Sequence, residues 1–251
     1  METKINLLLQ SQPYGVVYLS SWLEASGYSR DLQRRYISSG WFRSIGRGAL
    51  IRTGQKVEWT GALYSLQKQA QKKIHIGGRS ALGLLGMAQY LEISPKVIEL
   101  FGQRGSLLPS WFNQHEWGMN FILHKTNLVP FDIGLTDYNV DSFSLKISDA
   151  ARALIECLYL APLQFSLVEA YQIMEGMNAL HPDEVQKVLE NCNSVKAVRL
   201  FLYMAEKARH TWAKRLDAGR IDLGNGKRSI VKDGIYISEF QITIPAELDS
   251  L

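Results

Sequence analysis

The sequence predicts an α+β protein: an N-terminal winged helix-turn-helix over residues 1–75, then a larger mixed α/β domain over residues 76–251. Three observations predict it. Over residues 16–52 an apolar stripe at helical spacing is followed by a glycine turn, a basic amphipathic helix and two short strands around a glycine-rich tip. Over residues 96–147 short β-like runs alternate with turns. Four helical stretches then succeed one another across residues 149–207, before a tail of alternating isoleucines.

Residues 1–12 (METKINLLLQSQ) predict a short first helix with Ile5, Leu8 and Leu9 inward. It stops before Pro13, because a residue preceding proline is driven out of the helical region. Over 16–25, Val16, Leu19 and Leu23 fall at i, i+3 and i+7, which predicts a second helix. Ser26-Gly27 ends it, since glycine adopts the left-handed conformation that closes a helix. Ser29 caps the next helix, 29–39, and Asp31 in its first turn suits the positive helix end. That helix turns Leu32, Tyr36 and Ile37 inward and leaves Arg30, Gln33 and Arg34 on its other side. After Gly40, residues 41–45 read as a strand and 49–52 as its return, with Gly46-Arg47-Gly48 as the turn.

Thr60 caps a further helix over 60–71 that packs Leu63 and Leu66; residues 74–76 form a short strand, and Gly77-Gly78 opens a helix from Arg79 to about Gly86. Strands follow at 96–101, 119–123 and 143–147, separated by turns containing Pro109, Gly118 and Pro130. Helices cover 149–160, 166–177, 182–191 and 195–207, the first capped by Ser148-Asp149. Residues 220–245 read as strands or a hairpin around Gly224-Asn225-Gly226.

Of 251 residues, 46% are hydrophobic and 21% charged, the balance of a folded protein and not of a disordered or fibrous one. The two cysteines, Cys157 and Cys192, supply no disulfide framework, so a reducing cytoplasm is expected. No charged segment feeding an apolar run opens the chain, and no stretch approaches the ~18 unbroken apolar residues of a membrane span. A cytoplasmic location with no membrane partner is the expectation.

Charge is the sharper signal. Residues 28–56 (YSRDLQRRYISSGWFRSIGRGALIRTGQK) carry Arg30, Arg34, Arg35, Arg43, Arg47, Arg52 and Lys56 against Asp31 alone, net +6 in a chain whose total is +4. Positive charge concentrated on a helix and wing is the footprint of a duplex-binding module. Arg30, Gln33 and Arg34, near the start of the recognition helix, are placed to read base edges, arginine pairing with guanine and glutamine with adenine. Arg35, Arg43, Arg47 and Arg52 would meet phosphate or, at the wing tip, the minor groove. A second cluster at 207–232 sets eight cations against Asp217 and Asp222, again net +6. It offers Lys214, Arg215 and Arg228 as further DNA contacts, with a solvated surface as the equal alternative.

Catalytic patterns are weak. Gly77-Gly78-Arg79-Ser80 has the look of a nucleotidyltransferase glycine turn, but metal-dependent nucleotidyl transfer needs paired carboxylates and the next dozen residues offer only Glu92. The histidines at 75, 115, 124, 181 and 210 are scattered, and Asp132, Asp137 and Asp141 share a loop without a calcium-loop pattern. No serine nucleophile elbow or Gly-Lys-Ser/Thr phosphate loop occurs. The six tryptophans are mostly placed to fill cores. The residues point to a non-enzyme without cofactor or metal.

The segments WLEASGYSRDLQRRYISSGWFRSIGRGALIRTG, EWTGALYSLQ and IHIGGRSALGLLG together resemble the abortive-infection AbiEi antitoxin family of type IV toxin–antitoxin systems. The resemblance covers the first third well and the remainder more loosely. It implies a repressor of its own operon that binds promoter inverted repeats in double-stranded DNA. It also implies a C-terminal domain that counters an AbiEii-type nucleotidyltransferase toxin without direct contact. The residues alone leave two alternatives open: a nuclease or nucleotidyltransferase that uses the winged module to deliver substrate, and a winged-helix protein–protein adaptor.

Overall fold

A computed structural model describes residues 3–87 and 97–251. Met1, Glu2, Glu92 and the expected strand start at Lys96 lie outside the described residues.

The winged module begins with α1 (Lys4–Ser11), β1 (Tyr18–Leu19), α2 (Ser20–Ala25) and α3 (Arg30–Ser38), followed by the wing strands β2 (Phe42–Gly46) and β3 (Ala49–Arg52). The three strands form one antiparallel sheet in the order β1-β3-β2. Its core is Ile5, Leu8, Val16, Tyr18, Leu23, Tyr36, Phe42 and Leu50. Tyr18 and Tyr36 both lean on Phe42, with ring centroids 5.0 and 6.1 Å away.

Two expectations are corrected here. Residues 16–19 are not helical: Tyr18 pairs with Leu50 and Leu19 with Ala49. All four residues are buried, so apolar side chains cover both faces of an extended segment, and the i, i+3 coincidence does not report a helix. Ile37, expected inward, is 39% exposed, because Tyr36 and Gln33 fill the inner face of α3 instead.

α4 (Trp59–Lys68) joins the winged module to the rest. Thr60 lies inside it and does not cap it; Glu58 precedes the helix. Ser65 Oγ and Gln69 Nε2 both donate to the Val17 carbonyl, at 2.5 and 2.9 Å, and Gln69 Oε1 accepts from Leu19 N. A β-carbon on Gly61 would stand 1.8 Å from the Gly15 carbonyl oxygen; only glycine permits that approach. Gln67 works on the other side, donating to the Ile74 and Lys146 carbonyls and accepting from Lys146 N.

β4 (Ile74–Ile76), α5 (Gly78–Leu84), β5 (Val97–Gly102), α6 (Ser110–Gln114), β6 (Asn120–Lys125), β7 (Leu135–Val140) and β8 (Phe143–Ser148) follow. Their strands build a mixed five-stranded sheet in the order β6-β5-β4-β8-β7. A division after residue 75 would pass through β4, which pairs with both β5 and β8. β7 and β8 form a hairpin closed by Asp141 and Ser142, with Asp141 at φ +40. The loop expected to hold Asp132, Asp137 and Asp141 is therefore largely strand, and Asp137 pairs with Lys146 at 2.9 Å.

α7 (Ala150–Leu160) is the central helix, buried from Ala150 through Leu158, and α8 (Leu167–Gly176), α9 (Pro182–Glu190) and α10 (Val195–Lys207) surround it. Asp149 caps α7 by accepting from Arg152 N at 2.8 Å. The tail carries two 3-10 turns (Ala213–Arg215 and Ala218–Arg220), then β9 (Arg228–Ser229), β10 (Ile235–Ile237), β11 (Ile242–Ile244) and α11 (Ala246–Ser250). Its hairpin is β10–β11, not a turn at Gly224-Asn225-Gly226. That glycine segment bends around the buried Arg199, whose guanidinium donates to the carbonyls of Leu223, Gly224, Gly226 and Gln241. A buried cation must be matched by acceptors; the loop supplies three of them and Gln241, beside β11, the fourth.

Candidate nucleic-acid interface

The helix-turn-helix angle is held by polar contacts that the amino-acid pattern half conceals. Gly27, at φ +86, ends α2, and Tyr28 N donates to the Leu23 carbonyl at 2.8 Å. Ser29 Oγ accepts from Leu32 N at 3.3 Å and starts α3. Gln33 is 5% exposed, and its Nε2 donates to the Ser20 carbonyl at 3.1 Å and the Tyr28 carbonyl at 2.8 Å. The expectation that Gln33 faces bases is corrected: it braces α3 against the start of α2. At about 100° per residue Gln33 sits between Arg30 and the buried Tyr36, so its side was the ambiguous one.

Arg30, Arg34 and Arg35 occupy the outer face of α3 with Asp31. Arg30 Nε lies 3.1 Å from Glu24 Oε2, and Arg34 Nη2 lies 2.6 Å from Asp31 Oδ1. Both arginine side chains remain 77% exposed. Exposed pairs of this kind are worth about 0–1 kcal/mol, so a phosphate or guanine edge competes for either guanidinium. On β2, Phe42 points into the core and Arg43 outward, and Arg47 is exposed at the tip between Gly46 and Gly48. Arg52 is half-buried at the far end of β3. The structure thus gathers five of the seven expected groups, Arg30, Arg34, Arg35, Arg43 and Arg47, on exposed parts of the helix and wing.

In the second cluster Lys214, Arg215 and Arg228 are all exposed, the first two on a 3-10 turn and the third on β9. Arg220 is paired with Glu190 at 2.9 Å, and Lys227 lies over the Tyr236 ring at 4.7 Å.

A buried ionic centre was missed by the reading of scattered histidines. His75 Nε2 and Arg152 Nε meet the same oxygen, Glu156 Oε1, at 2.9 and 3.0 Å. Glu156 Oε2 accepts from Gly78 N at 2.9 Å and Ser148 Oγ at 2.8 Å. Full burial holds the His75 imidazole below its ordinary protonation range, Glu156 pulling the other way and Arg152 reinforcing the shift. Burial alone would raise the Glu156 carboxyl, but His75, Arg152 and the Gly78 amide outweigh it and leave it lowered. We take the ion pair to be Arg152 with Glu156, beside a neutral imidazole. The signal for this centre was the strand–Gly-Gly phrase: β-carbons on Gly77 and Gly78 would stand 2.2 Å from Glu156 Oε2 and 2.5 Å from Glu99 Oε2.

The same contacts bear on the nucleotidyltransferase alternative. A phosphate cradle needs free backbone amides at the glycine turn. Here Gly78 N is taken by Glu156 and Arg79 N by Glu99 Oε2 at 3.0 Å. Two carboxylates of the chain itself fill the turn and would repel a triphosphate. Among the described residues, no group of three or more His, Cys, Asp or Glu is arranged to hold a metal ion, and no helix is long and apolar enough to cross a membrane.

Both parts of the chain have known counterparts. Residues 1–93 match a family model described as "Transcriptional regulator, AbiEi antitoxin N-terminal domain". Residues 95–245 match one described as "Transcriptional regulator, AbiEi antitoxin, Type IV TA system". The search of curated proteins found no match. Among solved structures, the RV2827C protein from Mycobacterium tuberculosis shares the fold, with a TM-score of 0.54 at 14% identity over 95% of this chain and 88% of that one.

Proposed function

Because the chain belongs to the AbiEi family of type IV antitoxin transcriptional regulators, we propose that it represses its own operon by binding inverted repeats in the promoter. Arg30 and Arg34 read the major groove; Arg35, Arg43 and Arg47 hold phosphate or enter the minor groove. Exposed Lys214, Arg215 and Arg228 add phosphate contacts. The second domain counters an AbiEii-type nucleotidyltransferase toxin without touching it, and the protein acts in the cytoplasm, as a binding protein and not a catalyst. The observation that supports this reading is the outward face of α3, where three arginines surround one acid while Gln33 and Tyr36 fill the inner face. Footprinting on the DNA upstream of the protein's own gene tests it. Protection of paired, inverted sites is the expected result, together with repression of a reporter driven by that DNA. An unprotected promoter and an unregulated reporter overturn it.

A further inference from the structure

The wing does not stand free. β2 carries an irregularity between Ser44 and Gly46, and Gly46 takes φ +151, a conformation reserved for glycine. A β-carbon there would lie 2.7 Å from Trp111 Cβ and 3.1 Å from Trp111 Cα. Trp111 belongs to α6, which lies outside the winged module and packs on β2. It is 4% exposed and shares an apolar cluster with Ala49 and Ile51 of β3 and with Ile45 of β2. Behind it, Phe112 meets Phe121 of the five-stranded sheet at 5.0 Å between ring centroids. A run of aromatic contacts, Phe121 to Phe112 to Trp111, therefore reaches from the second domain's sheet to the turn end of the wing.

We propose that Trp111 is the positioning residue that sets the pitch of the wing, so that the second domain governs where Arg43 and Arg47 meet DNA. Packed aromatic groups resist displacement because interiors are close-packed. A wing pinned at its bulge holds Arg47 at one height above the duplex, whereas β2, the edge strand of its sheet, is otherwise bonded to β3 alone. The arrangement also gives the second domain a mechanical hold on the tip half of the wing: a change that shifts α6 acts there first. By contrast, α3 meets β2 at its other end, through Tyr36 on Phe42, and is tied to α2 through Gln33. The proposal rests on the reading of the module as DNA-binding.

The test compares native protein with Trp111→Ala, Trp111→Phe and Gly46→Ala on the promoter fragment, using hydroxyl-radical footprinting, guanine methylation interference and the salt dependence of binding. Circular dichroism checks that each variant is folded. Trp111→Ala and Gly46→Ala should lose backbone protection at the wing's positions and flatten the salt slope by about 0.9 for each phosphate the wing no longer reaches. Methylation interference from α3 should persist, and Trp111→Phe should restore the wing's protection. If Trp111→Ala does not fold, Trp111→Leu and Gly46→Ala carry the same comparison. A folded variant with native footprint and slope overturns the proposal, as does a uniform disappearance of protection and interference together. If the native protein itself leaves the promoter unprotected, the DNA-binding reading fails first, and the two failures are thereby told apart.

Discussion

Gln33 Nε2 donates to the Tyr28 carbonyl across the helix-turn-helix corner at 2.8 Å, and its second bond, to Ser20, ties α3 to the first residue of α2. Gln33→Ala removes both donors and leaves two carbonyls short of a partner. The expected cost is about 1–3 kcal/mol of stability, read from urea unfolding. The folded fraction should discriminate operator from scrambled duplex as the native protein does; a change of preferred base at one position would instead make Gln33 a reader.

Arg30→Ala and Arg34→Ala should show the converse pattern. Each breaks only an exposed ion pair, so stability should move by less than about 0.5 kcal/mol. Each should relax specificity at one base pair by about 1–3 kcal/mol. Competition binding with single-base variants of the operator measures both variants, and a uniform loss over all sequences would assign them to phosphate.

Glu156→Gln strips the buried Arg152 of its counter-charge. Arg152 keeps its bonds to the Pro130 and Ile133 carbonyls, but a buried cation left unmatched costs about 3–5 kcal/mol. The unfolding midpoint should fall accordingly, without a change in the salt slope of any binding that survives. A neutral effect on stability would contradict the ionic assignment.

The same centre predicts acid sensitivity. His75 is held below its ordinary value of 6.5 by burial. Below pH of about 6.5 the unfolded chain takes up a proton that the folded chain refuses, so stability falls as pH drops and is full above that point. Glu156 is also lowered from its ordinary 4.5; its contribution is present above that value and is lost as pH falls through the folded one. Both losses lie on the acid side. Urea midpoints at about pH 8 and pH 5.5 should differ in the native protein and differ less in His75→Gln. An equal difference in both proteins would show that His75 does not carry the effect.

Reversing the exposed cations with Lys214→Glu, Arg215→Glu and Arg228→Glu should lower operator affinity and flatten its salt dependence. Unchanged binding would leave this surface as solvated charge.

The amino-acid sequence made the winged module legible where one residue type has one physical use. Gly27 and Ser29 ended and capped their helices, and the expected turn lies where its glycines require, with Gly46 closing β2 and Arg47-Gly48 leading into β3. It was misleading where periodicity is degenerate. Val16–Leu19 is buried on both faces, so a strand carried a helical stripe, and Gln33 sits at the border between inner and outer faces, where an amide suits either side. The ionic centre was not legible, because His75 and Glu156 lie 81 positions apart and only folding brings them together. β7 was missed for a different reason: Tyr138 and Val140 do alternate with exposed Asp137 and Asn139, but Asp132, Asp137 and Asp141 give the segment the look of an acidic loop. The Gly77-Gly78 pair did announce a close approach, but of the chain's own carboxylates and not of a phosphate.

The central claim, that the arginines of α3 and the wing form one duplex-binding face, is tested most directly by titrating the promoter duplex and an unrelated duplex over a range of salt. The native protein should prefer the promoter. Its binding should weaken steeply with salt, and Arg47→Ala should lower the slope by about 0.9 on both duplexes. Binding that ignores salt, or that treats the two duplexes alike in native protein and variant, would contradict the account.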